Sequence, residues 1–259
     1  SSAKMGIIIV YDLIELEDGE RKHWKQLVNM TGEFPNDQFG TSVTLSGDGV
    51  TLVVGAPGYT LRNGNEEGRV YVYDLSEFNI SPWENAIQTF TGSTETAAFG
   101  TSVALDSTGS NLVIGAPLQN QSTGAIFIYN RDARGNWNQV GDEFLGDKSG
   151  EEFGYSVSIA PNGIFVMAGA PEKTNMNPGG YFIIYRYSNQ GWEEYESSRL
   201  DSPNARFGES VSFSNDAKFV LIGAPGIDQR RGAAYLFSRD GDGDKKIEEL
   251  GSIAGFEKG

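Results

Sequence analysis

The sequence predicts an all-β chain, a β-propeller of four-stranded antiparallel blades, and three observations carry that expectation. A Phe-Gly pair and a Gly-Ala-Pro triplet recur four times, with the Phe and the first Gly of the triplet always 16 positions apart: Phe39/Gly55, Phe99/Gly115, Phe153/Gly169 and Phe207/Gly223. Successive units are 60, 54 and 54 residues apart, and self-similarity at such a period marks stacked supersecondary units. Short runs rich in Val, Ile, Tyr, Phe and Thr recur between Gly-rich turns, without the 3.6-residue apolar period of an amphipathic helix.

Each unit divides into four strands. After Phe-Gly comes a run such as Thr41–Leu45 or Tyr155–Ile159, apolar on one parity and small and polar on the other. A hairpin follows, with turn residues Ser46-Gly-Asp-Gly49, Ser107-Thr-Gly109, Pro161-Asn-Gly163 or Ser214-Asn-Asp216. The second strand is apolar on both parities (Leu52-Val-Val54, Leu112-Val-Ile114, Phe165-Val-Met167, Phe219-Val-Leu-Ile222), so both its faces need cover. A connection of about 8 to 13 residues leads to a Gly five positions before an aromatic: Gly68/Tyr73, Gly124/Tyr129, Gly180/Tyr185 and Gly232/Phe237. That third strand is followed by a polar hairpin and a fourth strand opening on Trp83, Trp137 or Trp192. Units of this length buried on both faces by identical neighbours fit radial blades better than the shorter rungs of a β-helix.

The chain enters half-way through a blade: Gly6 to Tyr11 has the third-strand spacing, and Trp24 opens a fourth strand. The expected units are a half blade over 1–32 and blades over 33–92, 93–146, 147–201 and 202–259, in one domain. Five third-plus-fourth strand pairs stand against four first-plus-second pairs, so the strands completing the ring are expected in residues outside this chain rather than in another polypeptide.

Phe-Gly, a Ser-Val strand and Gly-Ala-Pro together resemble the FG-GAP repeat, the blade of the integrin α-subunit propeller. The resemblance covers about residues 6 to 255 and implies a larger, seven-bladed ring, an extracellular, cell-surface or lumenal location, and adhesion or ligand binding through loops on one face. It also implies calcium in the hairpin between the first two strands. Here those hairpins are short and poor in carboxylates, Ser46-Gly-Asp48-Gly, Asp106-Ser-Thr-Gly, Ala160-Pro-Asn-Gly and Ser214-Asn-Asp216, which argues against calcium at that position. Asp240, Asp242 and Asp244 alternate in the last polar hairpin and form the remaining metal candidate, although Lys245 and Gly251 stand where an EF-hand loop needs Gly and an acid. The equivalent Asp132-Ala-Arg-Gly135 is turn material.

Catalysis finds little support. Cysteine is absent and His23 is the single histidine, beside Trp24, which removes thiolate nucleophiles and histidine metal clusters. Gly-x-Ser groups at Ser42, Ser102, Ser156 and Ser210 occur in every unit and lack the closing Gly of a nucleophile elbow. A propeller glycosidase needs two placed carboxylates, which 35 acidic residues leave open. The net charge of −15 opposes nucleic acid and anionic lipid, and no run of about 18 apolar residues offers a membrane span. Sequons stand at Asn29, Asn79 and Asn120, the second spoiled by Pro82, leaving Asn29 and Asn120 as glycan acceptors in a secretory compartment.

The connections from second to third strand vary most, and a constant frame with variable loops is how a scaffold presents recognition residues. The expected contact residues are Arg62, Glu66 and Glu67 in one loop and Arg230 and Arg231 in another. The leading expectation is a non-enzymatic interaction module holding a protein or glycan, with an architectural subunit of a larger assembly and a sugar hydrolase as alternatives.

Overall fold

A computed structural model describes residues 5–15, 22–61, 64–76, 86–172, 179–239 and 247–255. Strands β1 (Ile7–Glu15) and β2 (Lys22–Thr31) form a two-stranded antiparallel sheet. The first four-stranded sheet contains β3 (Ser42–Leu45), β4 (Thr51–Ala56), β5 (Arg69–Asp74) and β6 (Gln88–Thr91) in chain order. The second contains β7 (Ser102–Leu105), β8 (Asn111–Ala116) and β9 (Ala125–Arg131), followed by β10 (Trp137–Gln139) and β11 (Phe144–Leu145), both paired with β9. The third is β12 (Ser156–Ile159), β13 (Phe165–Ala170), β14 (Tyr181–Ser188) and β15 (Gly191–Arg199); the fourth is β16 (Ser210–Phe213), β17 (Phe219–Ala224), β18 (Ala233–Ser238) and β19 (Glu248–Ala254). First strands of neighbouring sheets touch, β3 to β7, β7 to β12 and β12 to β16, so they are the inner strands of an open propeller, with no strand pairing between the last sheet and the first among the described residues.

Apolar side chains fill the space between successive sheets. Ile8, Val10, Val28 and Met30 meet Leu52, Val54, Tyr71 and Tyr73; the opposite parity of the first sheet, Val53, Val70, Val72 and Phe90, meets Leu112, Ile114 and Phe127. The same alternation continues through the third and fourth sheets. The second strands of the first three four-stranded sheets are therefore covered on both faces, which accounts for their apolar residues on both parities, whereas Phe219 and Leu221 of β17 are exposed. In three sheets the aromatic that ends the third-strand motif stands at a register shift, at Tyr11, Tyr185 and Phe237. At the corresponding Tyr129 the fourth strand breaks into β10 and β11 around Gly141, which takes φ 77°, so the outer strand is bulged or broken at this height in these four sheets.

The repeat motif is the joint between sheets. The Ser42 hydroxyl donates to the carbonyl of Gly100 in the next sheet at 2.7 Å, Ser102 to Gly154 at 2.8 Å and Ser156 to Gly208 at 2.8 Å. That carbonyl lies 2.0 Å from where a Cβ on Gly55, Gly115 or Gly169 would stand, a distance only glycine permits. The Phe preceding the carbonyl is buried in each case, and its backbone presses on the Gly that opens the previous third strand: Phe99 on Gly68, Phe153 on Gly124, Phe207 on Gly180. Phe39 meets Gly6 in the same way, which puts β1 in the third-strand place. The Gly-x-Ser serines at 42, 102 and 156 are thus spent on inter-sheet hydrogen bonds.

In the inner hairpins, acidic and amide side chains close their own turns. Asp48 accepts from Ser46 Oγ and Val50 N, Asp106 from Ser110 N, Asn111 N and Asn111 Nδ2, Asn162 from Ile164 N, and Asp216 from Ser214 Oγ and Lys218 N. These bonds hold Asp48 and Asp216 below the usual carboxylate range, the serine hydroxyl first and the backbone amide second. Oxygens turned onto their own amides do not fit a calcium loop.

Burial sets an alkaline limit on the fold. It pushes the phenols of Tyr73, with help from Glu33, and Tyr129 up to about 12, against about 10 in an unfolded chain. Neutral phenol is thus favoured in the folded state; this stability is intact below about pH 10 and is lost as pH rises to about 12. Urea midpoints measured from pH 9 to 12 should fall over that interval and fall less in a Tyr73→Phe, Tyr129→Phe double variant. A parallel decline in both proteins contradicts this.

Candidate functional site

Two sets of loops meet on one side because the frame ties them together. The amide following each Gly-Ala-Pro donates to the carbonyl two residues before the Phe of its own unit: Gly58 to Asp37 at 3.0 Å, Leu118 to Ala97 at 3.1 Å, Glu172 to Glu151 at 3.1 Å and Gly226 to Ala205 at 3.0 Å. Each connection from second to third strand is so pinned against the connection entering its sheet. The residue before each Phe is left-handed, Gln38, Ala98, Glu152 and Arg206 at φ 53° to 59°; its repetition makes it part of the frame. Beyond the tie the loops differ. Short helical turns at Gln119–Ser122 and Ile227–Arg230, with left-handed residues inside, occupy two connections the sequence reads as plain loop.

Between the third and fourth sheets these loops enclose a cleft of about 790 Å³, lined among others by Glu172, Asn204, Arg206, Asp228, Gln229 and Arg230. Arg206 pairs with Glu209 and Asp228 with Arg231, while Arg230 is exposed at the rim. Behind the cleft lies a network the sequence reading missed. Glu151 and Glu172 are both buried and share Arg199, Glu151 at 3.2 Å. Glu151 also accepts from the Asp147 and Lys148 amides at 3.0 and 2.9 Å and from the Tyr181 hydroxyl at 2.9 Å, and Glu172 from the Gly180 amide at 3.2 Å. The Arg199 guanidinium lies 4.3 Å from the centre of the Tyr181 ring. Burial first, then the Glu151 charge, drives the Tyr181 phenol far above its usual range. The signal was present in the repeat. Two residues before Phe stand Asp37, Ala97, Glu151 and Ala205, and after Gly-Ala-Pro stand Gly58, Leu118, Glu172 and Gly226, so the third unit alone is acidic at both positions. Asp37 does the simpler version of the job, accepting from the Phe39 and Phe34 amides.

Of the residues expected to make contacts, Glu66 is exposed and Glu67 half-buried in the β4–β5 connection, where Thr96 N donates to the Glu66 carbonyl and Glu67 N to that of Tyr59. Arg230 and Arg231 are exposed in the corresponding β17–β18 connection. The two groups sit in the first and fourth sheets, and the cleft takes up Arg230 but neither glutamate. Arg62 and the candidate metal ligands Asp240, Asp242 and Asp244 lie outside the described residues, as does Trp83. Among the described residues no group of three or more His, Asp or Glu is arranged to hold a metal ion. Asn29 is exposed on β2 and Asn120 in the Gln119–Ser122 turn; His23 is exposed on β2.

The signature of the FG-GAP repeat matches residues 34–73 and 201–237. Human integrin alpha-11 is 38% identical over 110 residues, 39% of this chain and 9% of that protein. Bovine integrin alpha-2 is 31% identical over 135 residues, 48% and 11%. The chain thus spans about a tenth of the length of these relatives. Among solved structures, the periplasmic gluconolactonase of Pseudomonas aeruginosa superposes with a TM-score of 0.57 at 17% identity, over 93% of this chain and 63% of that one. At that identity the likeness concerns the propeller fold alone.

Proposed function

Since this chain is built of FG-GAP repeats folded as β-propeller blades, we propose that it is a non-enzymatic interaction module, acting outside the cell or in the secretory lumen, that holds a protein or glycan partner on its loop face. The observation that carries the reading is the cleft between the third and fourth sheets, where an invariant tie pins two loops and their unlike sequences supply Arg206, Asp228 and Arg230. Arginine is over-represented at interfaces because its fork of donors and flat face suit both polar and apolar contact. The partner's contacts would run from Arg230 and Arg231 along the loop face towards Arg62, Glu66 and Glu67. The integrin alpha relatives support a binding role, and the extracellular setting rests on the same kinship.

Screening on a glycan array and on a panel of extracellular protein domains tests it. Arg230→Glu with Arg231→Glu should weaken a detected partner roughly tenfold, because reversing two charges sets like against like at the contact, with the melting temperature unchanged. Unaltered binding, or turnover of a sugar substrate, contradicts the reading.

A further inference from the structure

The chemistry of the cleft between the third and fourth sheets selects among partners. Two carboxylates, Glu172 and Asp228, and two guanidiniums, Arg206 and Arg230, line it, so the lining is charge-balanced in a chain of net charge −15. Three of the four are already engaged: Glu172 with Arg199 and the Gly180 amide, Arg206 with Glu209, and Asp228 with Arg231 at 3.2 Å. A strongly charged ligand finds little net attraction here and would have to pull one of these pairs apart. The apolar part of the lining is Pro203, Pro225 and Gly226. Among the described residues it has no Tyr, Trp, Phe or Met, which with arginine make up the anchors at the core of protein–protein interfaces.

The groups left uncommitted include two neutral amides held in place. Asn204 and Gln229 are exposed in the cleft, and their side chains make no hydrogen bond among the described residues. Both residues are left-handed, at φ 62° and 58°. The Asn204 carbonyl stands where a Cβ on Gly226 would go, and the Gly226 amide donates to Ala205 at 3.0 Å. The two loops thus touch at a point that admits no side chain, which fixes their spacing. The second sheet repeats this backbone with other side chains: Thr96 and Ala98 are left-handed where the fourth sheet has Asn204 and Arg206, and Gln119–Ser122 forms the same turn as Ile227–Arg230. Asn204 and Arg206 are therefore not demanded by the frame. At about 790 Å³ the cleft has the size that small-molecule ligands fill, about 300 to 1,000 Å³.

We propose that this cleft holds a neutral oligosaccharide, with the Asn204 and Gln229 amides exchanging hydrogen bonds with its hydroxyls and the Pro203 and Pro225 rings against the C–H faces of its sugar rings. A primary amide offers two N–H donors and a carbonyl acceptor, which matches a hydroxyl that both donates and accepts. The engaged carboxylate of Asp228 keeps spare lone pairs for a further hydroxyl. This ligand class presupposes the loop-face binding proposed above, and the double reversal at Arg230 and Arg231 would act on it by unpairing Asp228.

The probe is an array of neutral hexose and N-acetylhexosamine oligosaccharides, printed beside sialylated and sulphated forms of the same chains. The tightest neutral binder is titrated calorimetrically into the whole chain at about 0.15 M and about 1 M salt, and its affinity should hold within about twofold because no exposed charge contact is there to be screened. Asn204→Gly and Gln229→Gly should each weaken it about tenfold by removing an amide's hydrogen bonds. Glycine suits the left-handed φ at both positions, so the folded state should survive. No neutral sugar bound on the array, a preference for the charged forms, or unchanged affinity in both glycine variants overturns the proposal. A protein partner weakened by reversal at Arg230 and Arg231 but not by Gln229→Gly overturns it as well, and leaves the loop-face binding standing. Only a chain that binds neither sugar nor protein at this face contradicts both.

Discussion

Gly115→Ala is expected to lower stability by about 3 kcal/mol, a fall of roughly 10 °C in melting temperature for a chain of this size. The added methyl would stand 2.0 Å from the Gly154 carbonyl and 2.3 Å from Ser102 Oγ. Backbone belonging to the next sheet cannot swing aside as a side chain can, so the second and third sheets must separate or shear. Either movement loosens the Ser102 hydrogen bond, worth about 1 kcal/mol, and opens the core that Val113, Ile126 and Ile128 share with Phe153 and Val166. Gly141→Ala is the control: nothing lies within 4 Å of its Cβ position, and it should cost about 1 kcal/mol through its left-handed φ alone. Thermal denaturation of the two variants reads the difference, and equal shifts contradict the account.

Arg199→Met should cost about 2 to 3 kcal/mol by urea denaturation, and the cause is charge rather than volume. Removing the guanidinium leaves Glu151 and Glu172 as two buried carboxylates with no cation between them. The figure sits at the low side of what losing one member of a buried pair costs, because Arg199 is itself partly exposed. If the charge argument holds, Arg199→Met with Glu172→Gln should recover part of the loss, since the remaining carboxylate keeps its amide and Tyr181 donors. Failure of Arg199→Met to change the midpoint would show that backbone donors alone hold the two acids.

The blades were legible in the sequence because their cause is local and repeated. Gly55-Ala-Pro57 of one unit and Phe99-Gly100 of the next encode a contact between backbones that tolerates no Cβ, and the repetition of both motifs keeps it in register. The double-sided apolar strands and the aromatic of the third strand read correctly for the same reason. The network of Glu151, Glu172, Tyr181 and Arg199 was not legible, since its partners span 48 residues and occur in one unit alone. A repeat reveals what every unit shares and conceals what one unit adds. Of the residues lining the cleft beside that network, Arg230 was named for its loop, whereas Arg206, next to a motif Phe, was not named. The split of the second sheet's outer strand at Gly141 escaped because an outer strand pairs along one edge and leaves a weaker pattern.

The most direct measurement of the inter-sheet joint compares Gly169→Ala with Gly223→Ala. Both glycines open a Gly-Ala-Pro triplet, but a Cβ at 169 would stand 2.0 Å from the Gly208 carbonyl, whereas at 223 its nearest neighbour among the described residues is Ser210 Oγ within the same sheet. Gly169→Ala should lose roughly 10 °C in melting temperature and Gly223→Ala almost none. Equal losses would mean that the triplet glycine serves its own strand, and the account of the motif as a joint between sheets would fall.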